Sequence, residues 1–387
     1  GSEMCIRDRL TDMEDSSIYT SKWYEGLADG AELYCGGVFL GCKGREYPAK
    51  LTVRPGTKMV RIESYLEGVN ELILPDGLES LIIPDAGSSD CGITALTVPE
   101  SVNYIELRNM SNLTNITLPE TAVLAEWCFS GCYQIEDLTI PKGNQTLYGV
   151  CVGRTAHVVL PDDVLEVRGP ISNGDPFRYN TESGNSSLKS IDLGSVRVLT
   201  DGALSDCVAL ERVTLPQSLE KIDDYAFSEC PRLTEINIPD SVTTFGIRCF
   251  SRTGLRELTL PEGTTTIGGR AFADMPDLRE LHIPAAVTSF GIGVFAGDSS
   301  LTTASLPSSL TEIPESTFAF CEKLTSVAIP DSVTSIGKEA FKNCTSLTAI
   351  DLPDAVTFID ASTFLDCQSL TQLQPVSYTH LRAHETR

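Results

Sequence analysis

The sequence predicts a repeat solenoid, between α/β and mostly β, on three observations. Seven consecutive lines of 22 or 23 residues fill Leu210–Pro375 with one pattern, near L-x-x-[IVL]-x-[IL]-P-x-x-[VL]-x-x-[IF]-x-x-x-x-F-x-x-C. Within each line, apolar residues alternate with polar or small ones before the proline, which is strand spacing. A phenylalanine then recurs at a fixed place. A period of this length marks stacked supersecondary units, none able to bury its apolar face alone.

The line LTSVAIPDSVTSIGKEAFKNCTS justifies each element in turn. Leu324, Val327 and Ile329 make the first strand. Pro330 lacks an N–H and ends it. Val333 and Ile336 make a second short strand on another side of the coil. Gly337 permits a turn, and Glu339–Asn343 has room for about one helical or 3₁₀ turn. Ala340 and Phe341 face inward, and Cys344 closes the coil. Stacking then predicts an aromatic spine of Phe227, Phe250, Phe272, Phe295, Phe318, Phe341 and Phe364. Each large apolar side chain is worth roughly 1.5–3 kcal/mol when covered, so a coil is stable only between neighbours.

Three residues after the phenylalanine stand Cys230, Thr253, Met275, Asp298, Cys321, Cys344 and Cys367, and Cys132 follows Phe129 in the same way. A column that accepts Cys, Thr and Met predicts a small buried slot with reduced thiols. Neighbours such as Cys344 and Cys367 could still reach bonding distance across stacked strands. Asp298 is predicted at a coil corner, capping backbone N–H groups, because a buried unpaired carboxylate is costly.

In chain order, residues 1–9 (GSEMCIRDR) and 376–387 come first as segments to set aside. Their back-translations are near reverse complements and resemble an adaptor from transposase-based sequencing libraries, so both are excluded from the fold. Leu10–Gln374 is then expected to be a fragment of a natural chain, ending without a cap at an uncovered apolar end near Ile350, Phe364 and Leu370, beside tails that pack poorly. Residues 10–59 read as a partial repeat with an inserted β-hairpin. Its strands, ELYC and VFLGC, flank the turn signal Gly36-Gly37. Residues 60–170 hold irregular repeats whose anchoring prolines are 9 to 22 residues apart. LTNITLPETAVLAEWCFSGCYQ is the clearest full copy among them. Residues 171–187 are a long surface loop rich in Gly, Asn, Ser and Asp, either mobile or functional. Residues 188–375 hold the regular repeats.

Composition removes several function classes. The chain of 387 residues has 29 Lys and Arg against 53 Asp and Glu, a net charge of −24. Such a surface repels nucleic acid and anionic lipid. There is no run of 18 apolar residues, so no membrane insertion is expected. Only His157 and His282 lie outside the terminal segments. No metal site, cofactor or catalytic residue is expected, and neither a C-x-x-C pair nor a phosphate-binding or nucleophile motif occurs. A ligand would touch the outward residues of the main strands, where Glu235, Asn237, Glu257, Thr259, Glu280 and His282 are the candidate binding residues. These columns are small, polar and mildly acidic, without the aromatic or arginine cluster that anchors tight interfaces. A plain solvated face is the competing reading.

The L-T-x-[IV]-x-[IL]-P-x-[SA]-V-T-x-I and A-F-x-x-C elements, repeated in tandem, resemble the BspA-like class of leucine-rich repeat. The resemblance covers about Val60–Gln374. It implies a right-handed leucine-rich-repeat coil with a parallel sheet along one side. It also implies a bacterial cell-surface or secreted protein, non-enzymatic, that binds host or cell-surface proteins and is used for adhesion. The full-length protein is expected to be monomeric. A structural spacer presenting another domain is the first alternative, and an enzyme with a site in an inserted loop the second.

Overall fold

The computed structural model describes residues 22–87, 91–148, 157–168, 188–200, 202–360 and 362–375. Both terminal segments and the 171–187 loop lie outside these. The fold is a β-solenoid of stacked parallel strands with almost no helix. It divides into two compact units, residues 1–145 with 152–163, and residues 146–151 with 164–387. In both, a typical coil contributes a main strand before its proline and a second strand after it.

In the first unit, Val38–Cys42, Met59–Arg61, Ser80–Ile83, Tyr104–Leu107 and Val123–Leu124 form one parallel sheet. Glu32–Cys35 pairs antiparallel with Val38–Cys42 across the turn at Gly36, which has φ 58°. The second strand of this hairpin is therefore also the first parallel strand of the sheet. Main strands pair as Lys50–Thr52 with Glu71–Ile73, Ala95–Thr97 with Asn115–Thr117, and Asp137–Thr139 with His157–Val159. Asn144 is 4% exposed. Its Nδ2 donates to the Ala122 and Pro141 carbonyls, and its Oδ1 accepts from the Leu124 N–H at 2.8 Å. This satisfies a buried amide that would otherwise be costly.

In the second unit, second strands run in parallel from Thr146–Tyr148 through Glu166–Arg168, Val198–Thr200, Lys221–Ile222 and Thr244–Phe245 to Thr266–Ile267. Glu312–Ile313, Ser335–Ile336 and Phe358–Ile359 form a further sheet. A four-stranded main sheet is formed by Glu257–Thr259, Glu280–His282, Thr303–Ser305 and Ser326–Ala328.

The F-x-x-C corner differs from expectation. Glu339–Asn343 contains no helical or 3₁₀ turn; Glu339 (φ 57°) and Asn343 (φ 58°) are left-handed, and tandem turns replace the helix. Tyr225, Glu229, Arg248, Arg252, Arg270 and Asp274 repeat this alternation. The reason lies in the hydrogen bonds. Ser316, Phe318 and Phe320 donate their N–H groups to Lys338, Ala340 and Lys342 of the next coil at 2.9, 2.8 and 2.7 Å. A helix would turn those donors onto its own chain, whereas the alternation makes a third ladder between coils. Each left-handed non-glycine residue is a cost, offset by satisfied backbone.

Gly337 serves close approach rather than φ. A Cβ there would sit 2.6 Å from the Glu315 nitrogen. Inside, the predicted spine forms. The rings from Phe227 to Phe364 stack coil on coil with centroids 5.1–6.1 Å apart and interplanar angles of 8–24°. At the far end of the described chain, Ile350 is only 2% exposed, because Gln372–Pro375 pairs alongside it. The expectation of an uncovered Ile350 is thereby corrected. Phe364 and Leu370 are half-buried, and Leu365 and Leu373 are each 44% exposed.

Candidate functional site

The outward face of the four-stranded main sheet from Glu257 to Ala328 carries four of the six predicted residues. Parallel pairing puts Glu257 opposite Glu280 and Thr259 opposite His282, with Thr303 and Ser305 next in line. All are exposed, since alternation turns Leu258, Leu281 and Ala304 inward. Glu235 and Asn237 are exposed too, but Leu233–Ile238 makes no ladder with either neighbour, so the two are not tied into this array. Exposed Arg256 and Arg279 stand beside the glutamates and break the acidic row. What the face can offer is a regular polar grid for hydrogen bonds and weak ion pairs.

The thiol slot offers no chemistry of that kind. The described cysteines are unbridged, and nine of the eleven are buried. Sγ of Cys230, Cys321, Cys344 and Cys367 donates to a spine-column carbonyl one coil earlier, at 2.9–3.2 Å. Burial pushes the Cys128 and Cys132 thiols up to about 12 and holds those of Cys230, Cys249 and Cys321 well above the usual range. A thiol kept protonated is a poor nucleophile and a poor metal ligand; half-buried Cys367 departs from this, its thiol lowered by the hydrogen bond from Cys344. No cluster of three or more His, Cys, Asp or Glu placed to hold a metal occurs among the described residues.

Asp298 occupies one position of this slot. It is fully buried rather than at an open corner, yet it does cap: Oδ1 accepts from the Met275 N–H at 2.8 Å. Oδ2 has no hydrogen-bond partner. Burial raises its carboxyl well above the usual range, and Asp274 adds to the shift.

A second surface was not legible beforehand. In the first unit, a cleft of about 970 Å³ opens between Asn115–Thr117 and Asp137–Thr139. These strands belong to neighbouring coils but are not hydrogen-bonded to each other. Half-buried Ile116 and Leu118 and exposed Val159 line it, together with Glu120, Glu136, Asp137 and Lys142. The coils remain joined at the far side of the proline, where Lys142 donates to the Glu120 carbonyl and Ala122 to the Lys142 carbonyl. The sequence held only an indirect signal. Main strands of this unit pair where partners are 21 or 20 residues apart, as Lys50 with Glu71 or Ala95 with Asn115. Asn115 and Asp137 are 22 apart and do not pair.

Comparison with known proteins now places the chain. The family described as "BspA type Leucine rich repeat region" matches in six copies over residues 64–156, 183–302 and 288–381. A leucine-rich repeat protein of Bacteroides ovatus shares 27% identity and a TM-score of 0.71, over 92% of this chain and 89% of its own. A leucine rich cell surface protein of Faecalibacterium prausnitzii is 22% identical, with a TM-score of 0.44 over 90% and 94% of the two chains. No curated protein sequence matches the chain significantly. No helix among the described residues is long and apolar enough to cross a membrane. With tandem coils, a stacked phenylalanine spine and family matches over more than half its length, the chain belongs to the BspA type leucine-rich repeat family.

Proposed function

We propose that the chain is a non-enzymatic protein-binding array within a bacterial surface or secreted protein, used for adhesion to host or cell-surface proteins. One observation carries the reading: two neighbouring strands of a four-stranded parallel sheet hold Glu257, Glu280, Thr259 and His282 in register on an exposed face. Repeat arrays use such extended faces for contact. The small polar side chains and interleaved charges of this face support weak contacts that gain strength by repetition. Glu235 and Asn237 join the surface as flanking residues.

Surface plasmon resonance over a panel of immobilised extracellular-matrix proteins tests this. Binding to at least one is expected, and Glu257→Lys with Glu280→Lys should weaken it by about 10-fold. Absence of binding to every panel member, with unchanged circular dichroism, would instead support a spacer that presents another domain.

A further inference from the structure

The cleft in the first unit is a gap in a hydrogen-bonded ladder, and its chemistry follows from which groups the gap leaves facing it. In a parallel ladder, successive residues address opposite neighbours. The Asn115 N–H reaches the Thr94 carbonyl at 3.1 Å, and the Thr117 carbonyl accepts from Val98 at 2.9 Å, so these residues serve the preceding strand. The backbone groups of Ile116 and the N–H of Leu118 therefore face the cleft. Across it, the Glu136 carbonyl accepts from His157 at 2.9 Å and Ile140 donates to Val159 at 3.0 Å. Asp137 and Thr139 are left facing the cleft from that side. Among the described residues, no backbone bond joins the two edges.

Side chains set what fits there. Ile116 and Leu118 stay half-buried, where equivalent residues such as Leu258 and Leu260 of the continuous sheet are buried. Glu120, Glu136 and Asp137 are exposed and make no ion pair among the described residues, against one lining ammonium, Lys142. Open strand edges recruit extended polypeptide through main-chain bonds, with alternate side chains providing specificity.

We propose that this cleft takes up an extended segment of a partner protein bearing lysine or arginine at alternate positions, which adds as a strand along the open edges. The occupant must be extended, because the donors and acceptors on offer are a strand's. It is cationic because the rim is acidic and uncompensated. This site is separate from the polar face of the other unit, and either can fail without the other.

The probe is the synthetic peptide acetyl-Lys-Thr-Val-Thr-Lys-Val-Thr-Val-Lys-amide, with a glutamate-for-lysine counterpart and a form N-methylated at alternate residues. Fluorescence anisotropy should show binding of the lysine peptide that falls about 10-fold on N-methylation, which removes the strand donors. Glu136→Lys with Asp137→Lys should weaken it by about 10-fold, as should the glutamate peptide, whereas Glu257→Lys with Glu280→Lys should leave it unchanged. Hydrogen exchange should slow in segments covering 113–120 and 135–141. No binding at about 1 mM peptide, or equal binding of the N-methylated form, would overturn the proposal. Protection of the same segments by raised protein concentration alone would make a second copy of the chain the occupant and also overturn it. Circular dichroism of the charge-reversed variant separates loss of the site from loss of fold.

Discussion

Replacing Asp298 by asparagine should remove a pH dependence that this single buried carboxyl imposes. The side chain is fully buried, holds the Met275 N–H through Oδ1, and leaves Oδ2 without a partner. Burial raises its folded-state pKa well above the usual value. Below about pH 3.9 the carboxyl is protonated in both folded and unfolded chains and adds no difference. As pH rises past that value, the unfolded chain releases a proton that the folded chain retains. Stability then falls by up to about 1.4 kcal/mol per pH unit, until the folded carboxyl itself ionises. Asparagine keeps an oxygen for Met275 and cannot ionise. Urea denaturation of both chains between pH 4 and 8 is the assay. Carboxylates that do not interact with Asp298 contribute equally to both chains and cancel in the difference, leaving the Asp298 effect together with its coupling to Asp274. The wild type should lose stability relative to Asp298→Asn as pH rises from 4, with the gap levelling off above the folded pKa. Parallel pH profiles, or a gap that widens toward acid, would refute the reasoning.

Four further outcomes follow from the packing. Phe318→Ala should cost about 3–5 kcal/mol, because the ring is fully buried between Phe295 and Phe341, each at 5.5 Å. Phe364→Ala should cost visibly less in the same denaturation assay, since that ring is half-buried with one described stacking partner. Brief alkylation followed by peptide mass mapping should label Cys35 and Cys367 before the nine buried cysteines. Early labelling of Cys128 or Cys132, whose thiols burial pushes up to about 12, would contradict their packing in the core. Gly337→Ala should destabilise by about 1–3 kcal/mol, because its Cβ would meet the backbone at Glu315 and Pro314; an unchanged melting temperature would show that the coils can separate locally.

Much of this architecture is legible in the sequence because it follows from a repeat acting on itself. Identical spacing stacks identical residues, so Phe227 through Phe364 had to meet if the coils stacked at all. The corner after Gly337 was harder. Sequence length there allows one helical turn, and only the neighbouring coil's carbonyls select the alternating left-handed backbone at Glu339 and Asn343. Of the candidate binding residues, Glu257, Thr259, Glu280 and His282 share one sheet. Glu235 and Asn237 obey the same pattern yet sit on a segment without a ladder.

The sequence by itself determined the solenoid, the two-strand plan of its coils, the phenylalanine spine and the tolerance of one inward slot for sulfur. These depend on periodicity and on side-chain size, which a chain carries within each repeat. Only the tertiary structure decided where coils pair and where they part. LTNITLPETAVLAEWCFSGCYQ is the most regular copy in the first half, and it borders the open cleft. Hydrogen bonding between coils depends on how one coil seats on the next, and regularity within a repeat does not guarantee it.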